Sequence, residues 1–204
     1  MGQEQKRNYQ RELDRILQDL SGQGKVPRLL LHSCCAPCSS YVLEYLSPQF
    51  EIVDFFYNPN IAPEEEYRFR AEELRRLIGE MPLPHPVRFV EGPYDPERFY
   101  TAAEGLEKVP EGGARCRKCF ALRLEEAAQK ARELQCDFFT TTLTISPLKN
   151  AETINQIQEE IAEKYGVAYL PSDFKKRDGY KRSLELSREY DLYRQNYCGC
   201  VFSK

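Results

Sequence analysis

Arg28-Leu29-Leu30-Leu31-His32-Ser33-Cys34-Cys35-Ala36-Pro37-Cys38 is the stretch that decides the fold. Its unbroken apolar run reads as a strand buried on both faces, because a half-exposed strand would alternate. The strand runs straight into a cysteine-rich turn. Residues 39–47 then show helical spacing, with Tyr41, Val42, Tyr45 and Leu46 as the inner face. The same strand–turn–helix order recurs downstream. Residues 50–57 read as a strand stopped by Asn58-Pro59-Asn60. A helix should begin at Pro63 and run to about Ile78, with Glu64, Glu65 and Glu66 at its positive end. Residues 87–90, 137–142 and 167–170 read as further strands. Residues 116–134, 150–165 and 183–193 read as helices, and a short helix fits 96–106 within the irregular segment 91–115. Upstream, Tyr9, Leu13, Ile16, Leu17 and Leu20 mark an amphipathic helix over 4–20, ended by Ser21, Gly22 and Gly24.

This alternation predicts an α/β fold: a mainly parallel five-stranded sheet with helices on both faces. The expected organisation is an N-terminal helix, 1–24, packed on one α/β domain, 25–204, that carries the cysteines. Ligands in such sheets gather at the carboxyl ends of the strands, which is where Cys34 falls. The 204 residues suit one domain and suffice to bury a core without staples. At 41% hydrophobic and 30% charged, the chain is neither disordered nor collagen-like. It has no run of about 18 apolar residues, so no membrane span is expected. Its opening, MGQEQKRNYQRELDR, is too polar for a signal peptide. A cytoplasmic location follows as the expectation. The net charge of −3 gives no global argument for nucleic-acid binding.

The eight cysteines break this ordinary pattern. They cluster as Cys34, Cys35 and Cys38, then Cys116 and Cys119, then Cys198 and Cys200, leaving Cys136 alone. In a reducing compartment such clusters point to metal or redox chemistry rather than to structural disulfides. Cys35-Ala36-Pro37-Cys38 between a strand and a helix has the form of a thioredoxin-type dithiol, whose first thiol the helix N-terminus would acidify. Cys34 beside it, and the second pair Cys116-Arg117-Lys118-Cys119 at another helix start, suggest instead four thiolates converging on a metal. Zinc and an iron–sulfur cluster fit this spacing equally. Cys198-Gly199-Cys200 could close only a very small, strained and easily reduced ring; two further ligands, or free thiols on a flexible end, fit it too.

Other residues carry weaker signals. Cys136 reads as an inert buried thiol. His85 falls in a loop between prolines, whereas His32 ends the first strand beside the cysteines, as a packed side chain before a ligand or proton donor. Thr140, Thr141, Thr142, Thr144 and Ser146 either line the site or reflect ordinary strand propensity. Lys175, Lys176, Arg177, Lys181 and Arg182, with Arg115, Arg117, Lys118 and Arg123, form either a local phosphate-binding face or a solvated charged surface.

The block His32-Ser33-Cys34-Cys35-Ala36-Pro37-Cys38 resembles the opening motif of the cobalamin-independent epoxyqueuosine reductases, the QueH family. The segments 56–61, 115–120, 140–150 and 197–200 resemble that family's further blocks, in order, over nearly all the chain after residue 25. The resemblance implies a fold like the PP-loop and HUP-type nucleotide-binding domains. With no glycine-rich loop after the first strand, no nucleotide is expected. It also implies reductive deoxygenation of epoxyqueuosine to queuosine at the wobble position of tRNA, with tRNA as substrate and an unidentified electron donor as partner. A [4Fe–4S] cluster is implied on Cys34, Cys35, Cys116 and Cys119, and a redox-active disulfide between Cys198 and Cys200; an additional iron beside the cluster is left open, its ligands not fixed by the sequence. Two other readings of the cysteines stand beside this one: a thiol–disulfide oxidoreductase using Cys35 and Cys38, and a zinc-binding module that docks on RNA.

Overall fold

A computed structural model describes residues 7–203. The elements run α1 (Tyr9–Gln23), β1 (Arg28–Ser33), α2 (Ala36–Leu46), β2 (Glu51–Phe56), α3 (Glu64–Glu80), β3 (Val87–Glu91) and α4 (Pro96–Ala103). They continue as α5 (Ala114–Glu133), β4 (Phe138–Thr141), a 3-10 turn (Thr142–Ile145), α6 (Ala151–Tyr165), β5 (Ala168–Tyr169), α7 (Gly179–Glu189) and a last 3-10 turn (Val201–Ser203). The fold is α/β, and all four strand pairings are parallel, in the order β3-β2-β1-β4-β5. Among the described residues no helix is long and apolar enough to cross a membrane.

The apolar run of β1 sits at the centre because both its faces are buried. Leu29 and Leu31 pack into one core with Leu13 of α1, Val42 and Leu43 of α2, Leu74 of α3 and Leu186 of α7. Leu30 points the other way, among Leu124 and Ala128 of α5 and Ile154 and Ile161 of α6. The chain moves from β1 to β2 and β3 on one side, then crosses back to lay β4 against the other edge of β1. The strand order therefore reverses between β1 and β4, where the turns that leave two adjacent strands diverge and open a crevice. The turn after β1 carries Cys34 and Cys35; the turn after β4 is the 3-10 segment from Thr142.

Several boundaries differ from the sequence reading. α1 is shifted towards the C-terminus: Asn8 caps it by accepting from the Arg11 amide, and Gly24 ends it at φ 63°. The first residues of the expected helix, 4–6, lie outside the described residues. α2 starts at Ala36 rather than 39, because Pro37 in the first turn suits a helix start, where no amide hydrogen is needed. α7 starts at Gly179 rather than Ser183. A Cβ on Gly179 would lie 2.0 Å from the Phe174 carbonyl oxygen and 2.4 Å from the Tyr41 ring. That close approach is a tertiary fact, which periodicity does not encode.

Candidate active site

Cys34 follows the last residue of β1, Cys35 is the N-cap of α2 and Cys38 lies in its first turn. This local geometry brings their three Sγ atoms within 4.8 Å of one another. Cys34 and Cys35 are 3.8 Å apart at sulfur, and the Cys34 amide donates to Thr142 Oγ1 at 3.4 Å. Hydrogen bonds from Cys35, then Cys38, hold the Cys34 thiol well below its usual range, with Arg123 and Lys149 adding to the effect. Cys35 is pushed up to about 12 by the same bond to Cys34 and by burial, and Cys38 rises for the same reasons. The direction at the helix-capping Cys35 is therefore upward, opposite to the acidification that the dithiol pattern suggested. Three thiols in contact share protons so that one is strongly favoured as the thiolate.

The second and third cysteine groups meet each other. Cys116 and Cys119 sit on the first turns of α5, and the Gly112 amide donates to Cys116 Sγ at 3.3 Å. Cys116, Cys119, Cys198 and Cys200 surround a small cavity closed by Phe99. Burial pushes Cys119 up to about 12 and also raises Cys200. The tail is seated rather than loose: Arg70 Nη1 donates to the Cys198 carbonyl at 3.4 Å, and the Ala62 amide donates to the Gly199 carbonyl at 3.0 Å. The Phe202 ring lies 5.0 Å from the Arg115 guanidinium carbon.

A larger cavity of about 280 Å³ opens beside this one. Cys34, Cys35, Cys38 and Cys198 all line it. Cys198 lines both cavities and so stands between the two thiol groups. Arg123, one turn beyond Cys119, is 1% exposed and donates Nη2 to Asn58 Oδ1 at 2.6 Å. Its Nε and Nη1 have no well-formed hydrogen bond. Its charge is instead felt by the thiols of Cys119, Cys34 and Cys198. Burial works against the charge of the half-buried Lys149, and the thiols of Cys198, Cys34 and Cys38 outweigh it, raising its pKa and holding it protonated. Buried cations without matching carboxylates are costly unless an anionic group faces them. A thiolate-ligated metal or cluster is such a group, so the three-cysteine site fits metal binding.

Of the remaining sequence candidates, Ser146 lines the larger cavity and most of the others fall outside this chemistry. His32 is fully buried, its Nε2 facing the Tyr57 carbonyl at 3.0 Å and its Nδ1 facing Thr141 Oγ1 at 2.9 Å. The carbonyl can only accept, so Nε2 carries the proton and Nδ1 accepts from the threonine. Burial pushes its pKa down to about 3, and with both nitrogens occupied it ties β1 to its neighbours as a neutral ring. Thr140 and Thr144 bond to Leu170 and Ser172, whereas Thr142 Oγ1 lies 3.6 Å from Cys34 Sγ. Three cations of the basic run are paired locally, Lys175 with Asp173, Arg177 with Asp14 and Arg182 with Glu44, while Lys176 and Lys181 are exposed. Arg115 is 3% exposed and donates to backbone carbonyls, including Glu107 at 2.8 Å. Cys136 lies in the core beside α5 and α6, pushed up to about 11 by burial. Residue types alone did not single out Asn58, Arg70 or Lys149. Asn58 and Lys149 do follow β2 and β4, and position at a strand's carboxyl end was the available signal. Arg70 lies unmarked in a helix rich in arginine and glutamate.

The family described as epoxyqueuosine reductase QueH matches residues 29–204 of this chain. The chain belongs to that family. It is 45% identical over 205 residues to the epoxyqueuosine reductase QueH of Streptococcus pyogenes serotype M1, covering 100% of this chain and 80% of that one. The epoxyqueuosine reductase QueH of Thermotoga maritima is 41% identical over 181 residues, covering 86% of this chain and 89% of its own. The QueH match spans both cysteine-lined cavities and the two turns at the switch point.

Proposed function

We propose that this chain reduces epoxyqueuosine to queuosine at the wobble position of tRNA, the last step of queuosine synthesis. Family membership supports the reaction. The observation that carries the site is the placement of Cys34, Cys35 and Cys38, lining one cavity with Cys198 and the buried Arg123, at the point where the strand order reverses. The family match favours the reductase over a dithiol oxidoreductase or a zinc module.

In this reading Cys34, Cys35, Cys116 and Cys119 hold a [4Fe–4S] cluster, and Cys38 is available to an additional iron. Once bound, the cluster would supply electrons one at a time, and an iron with an open position would polarise the epoxide oxygen. The rest falls to the protein. Removing the oxygen as water takes two electrons and two protons and leaves a carbon–carbon double bond. Arg123 and Lys149 offset the negative charge of the thiolates, and Lys149 presents a protonated ammonium to the cavity. Cys198 and Cys200 would form the redox-active pair, releasing two electrons and two protons on closing to a disulfide. An unidentified electron donor would reduce them again. The cytoplasm, where thiols stay reduced, suits such a site.

The test is anaerobic purification followed by metal and sulfide counting and by turnover of tRNA carrying epoxyqueuosine. Brown protein with about four irons per chain and formation of queuosine is the expected result. Colourless protein with zinc, or metal-free protein that reduces general disulfides, would overturn it.

A further inference from the structure

We propose that the rim of the larger cavity is the docking surface for a single-stranded RNA loop, an inference that rests on the tRNA reductase reading above. Two apolar side chains line this cavity and yet face solvent: Leu148 is 76% exposed and Tyr180 is 36% exposed. A residue that is both lining and exposed marks the mouth. The Arg194 guanidinium carbon lies 5.7 Å from the Tyr180 ring centroid, so an aromatic face and a cation are presented together. The charge at the cavity opposes that of the chain. Lys149 and Arg194 line it against the carboxylate of Glu111, together with the buried Arg123 and the buried Arg70 that pairs with Glu66, whereas the whole chain carries −3. Positive charge concentrated at one opening draws a phosphate backbone.

The depth of the site decides which nucleic acid fits. On the cavity wall Cys35 is 1% exposed and Cys34, Cys38 and Cys198 are only partly exposed, so a base held paired and stacked in a duplex is poorly placed to enter the site. The reacting base must be everted into the cavity, and a hairpin loop supplies unstacked bases at little cost. Its neighbours then need surfaces on which to stack. Tyr180 offers one and Leu148 an apolar edge, while Arg194, held in place by Nη1 bonds to the Ser183 carbonyl and Ser187 Oγ, meets the backbone or stacks as a guanidinium plane. The run from Lys175 to Arg182, the sequence's own candidate for this contact, has three of its cations committed to Asp173, Asp14 and Glu44.

The experiment measures binding without turnover. Fluorescence anisotropy would use the full chain and a synthetic RNA hairpin with guanosine at the loop position that epoxyqueuosine occupies. A blunt RNA duplex of the same stem serves as comparator. Tyr180→Ala and Leu148→Ala should each weaken hairpin binding about tenfold, a loss typical of a stacking contact. Tyr180→Phe should restore most of the affinity. Arg194→Ala should flatten the salt dependence by about one unit of slope. Arg132→Ala, near the far end of α5 from Cys116 and Cys119, should change nothing. Circular dichroism confirms that each variant is folded. Unchanged hairpin affinity in the Leu148/Tyr180 double variant would overturn the docking surface. So would equal affinity for duplex and hairpin, no measurable hairpin binding by the unaltered protein, or loss of self-association in place of RNA binding. Hairpin binding that depends on the rim, in a chain that fails to reduce epoxyqueuosine, would uphold the surface and overturn only the reductase reading.

Discussion

Arg123 Nη2 donates to Asn58 Oδ1 at 2.6 Å, joining the helix that carries Cys119 to the turn after β2. The bond holds a guanidinium at 1% exposure within electrostatic reach of Cys34, Cys119 and Cys198. In metal-free protein this cation is under-compensated, so its removal has two opposing effects. Losing the Asn58 bond costs about 1–3 kcal/mol, while relieving the desolvated nitrogens returns a similar amount. Arg123→Met should therefore leave metal-free stability within about 1 kcal/mol of the parent. Iron content per chain should fall clearly, because the anionic centre loses its counter-charge. Calorimetry and iron analysis on the same preparation check both halves. Unchanged iron would show that the guanidinium has no part in holding the centre.

Asp54 makes the protein's stability depend on pH. It is fully buried on β2, its Oδ2 accepts from Ser33 Oγ at 2.8 Å, and burial raises its pKa from 3.8 to about 8. Below pH 3.8 both folded and unfolded chains hold the proton, so nothing is lost. As pH rises towards 8 the unfolded chain ionises while the folded one keeps its proton, and stability falls. Asp54→Asn keeps an acceptor for Ser33 and removes this slope. The gross gain at pH 7 is on the order of 4 kcal/mol, reduced by about 1–3 kcal/mol for an unsatisfied amide N–H. Urea unfolding at pH 4, 5.5 and 7 should show a variant that is more stable than the parent by about 1–3 kcal/mol only at the upper end. A difference independent of pH would refute the buried protonated carboxyl.

The sequence announced the sheet because its signals are local. Leu29, Leu30 and Leu31 are apolar without alternation, as a central strand must be, and the segments on either side repeat the pattern. The cysteine groups were equally visible, since thiols are rare enough to stand out. What stayed hidden was how those groups pair in space. The family resemblance joined Cys34 and Cys35 to Cys116 and Cys119. The fold brings Cys38 into contact with the first two and sets Cys198 and Cys200 against the second pair. Such meetings depend on where α5 and the tail cross the sheet, which no periodicity records. Charge was the least legible feature. Arg115 and Arg123 looked like surface cations in a basic segment, yet both are buried, one on backbone carbonyls and one on Asn58.

The ligand set separates by single substitutions. Cys35→Ala and Cys119→Ala should each give soluble protein that has lost most of its iron, since a four-thiolate centre tolerates the loss of one ligand poorly. Cys136→Ala, in the core beside α5 and α6, should keep both iron and turnover. Cys38→Ala tells whether the third thiol of the triad serves the cluster or an additional iron. Loss of about one iron per chain with the cluster absorbance intact is the expected outcome. Iron counting with visible spectra reads all four variants. Full iron in Cys119→Ala would remove that residue from the ligands.

The tail pair should act in turnover rather than in holding the cluster. Cys198 lines both cavities, with Cys34, Cys35 and Cys38 around one and Cys116 and Cys119 around the other. A thiol so placed can exchange electrons with either side while its partner Cys200 closes or opens the disulfide. Cys198→Ser with Cys200→Ser should keep iron and colour but lose multiple turnover. Gly199→Ala probes the same idea without removing a thiol. Gly199 sits at φ 99°, and an added Cβ would lie 3.0 Å from both Arg70 Nη1 and Ile61 Cγ1. The side chain would push the loop off the Arg70 clamp and strain its backbone by about 1–3 kcal/mol. The outcome to look for is normal iron, both tail thiols still titratable, and multiple turnover reduced at least tenfold. Loss of iron in either variant would put the tail among the ligands, and undiminished turnover in the double serine variant would make the pair a bystander.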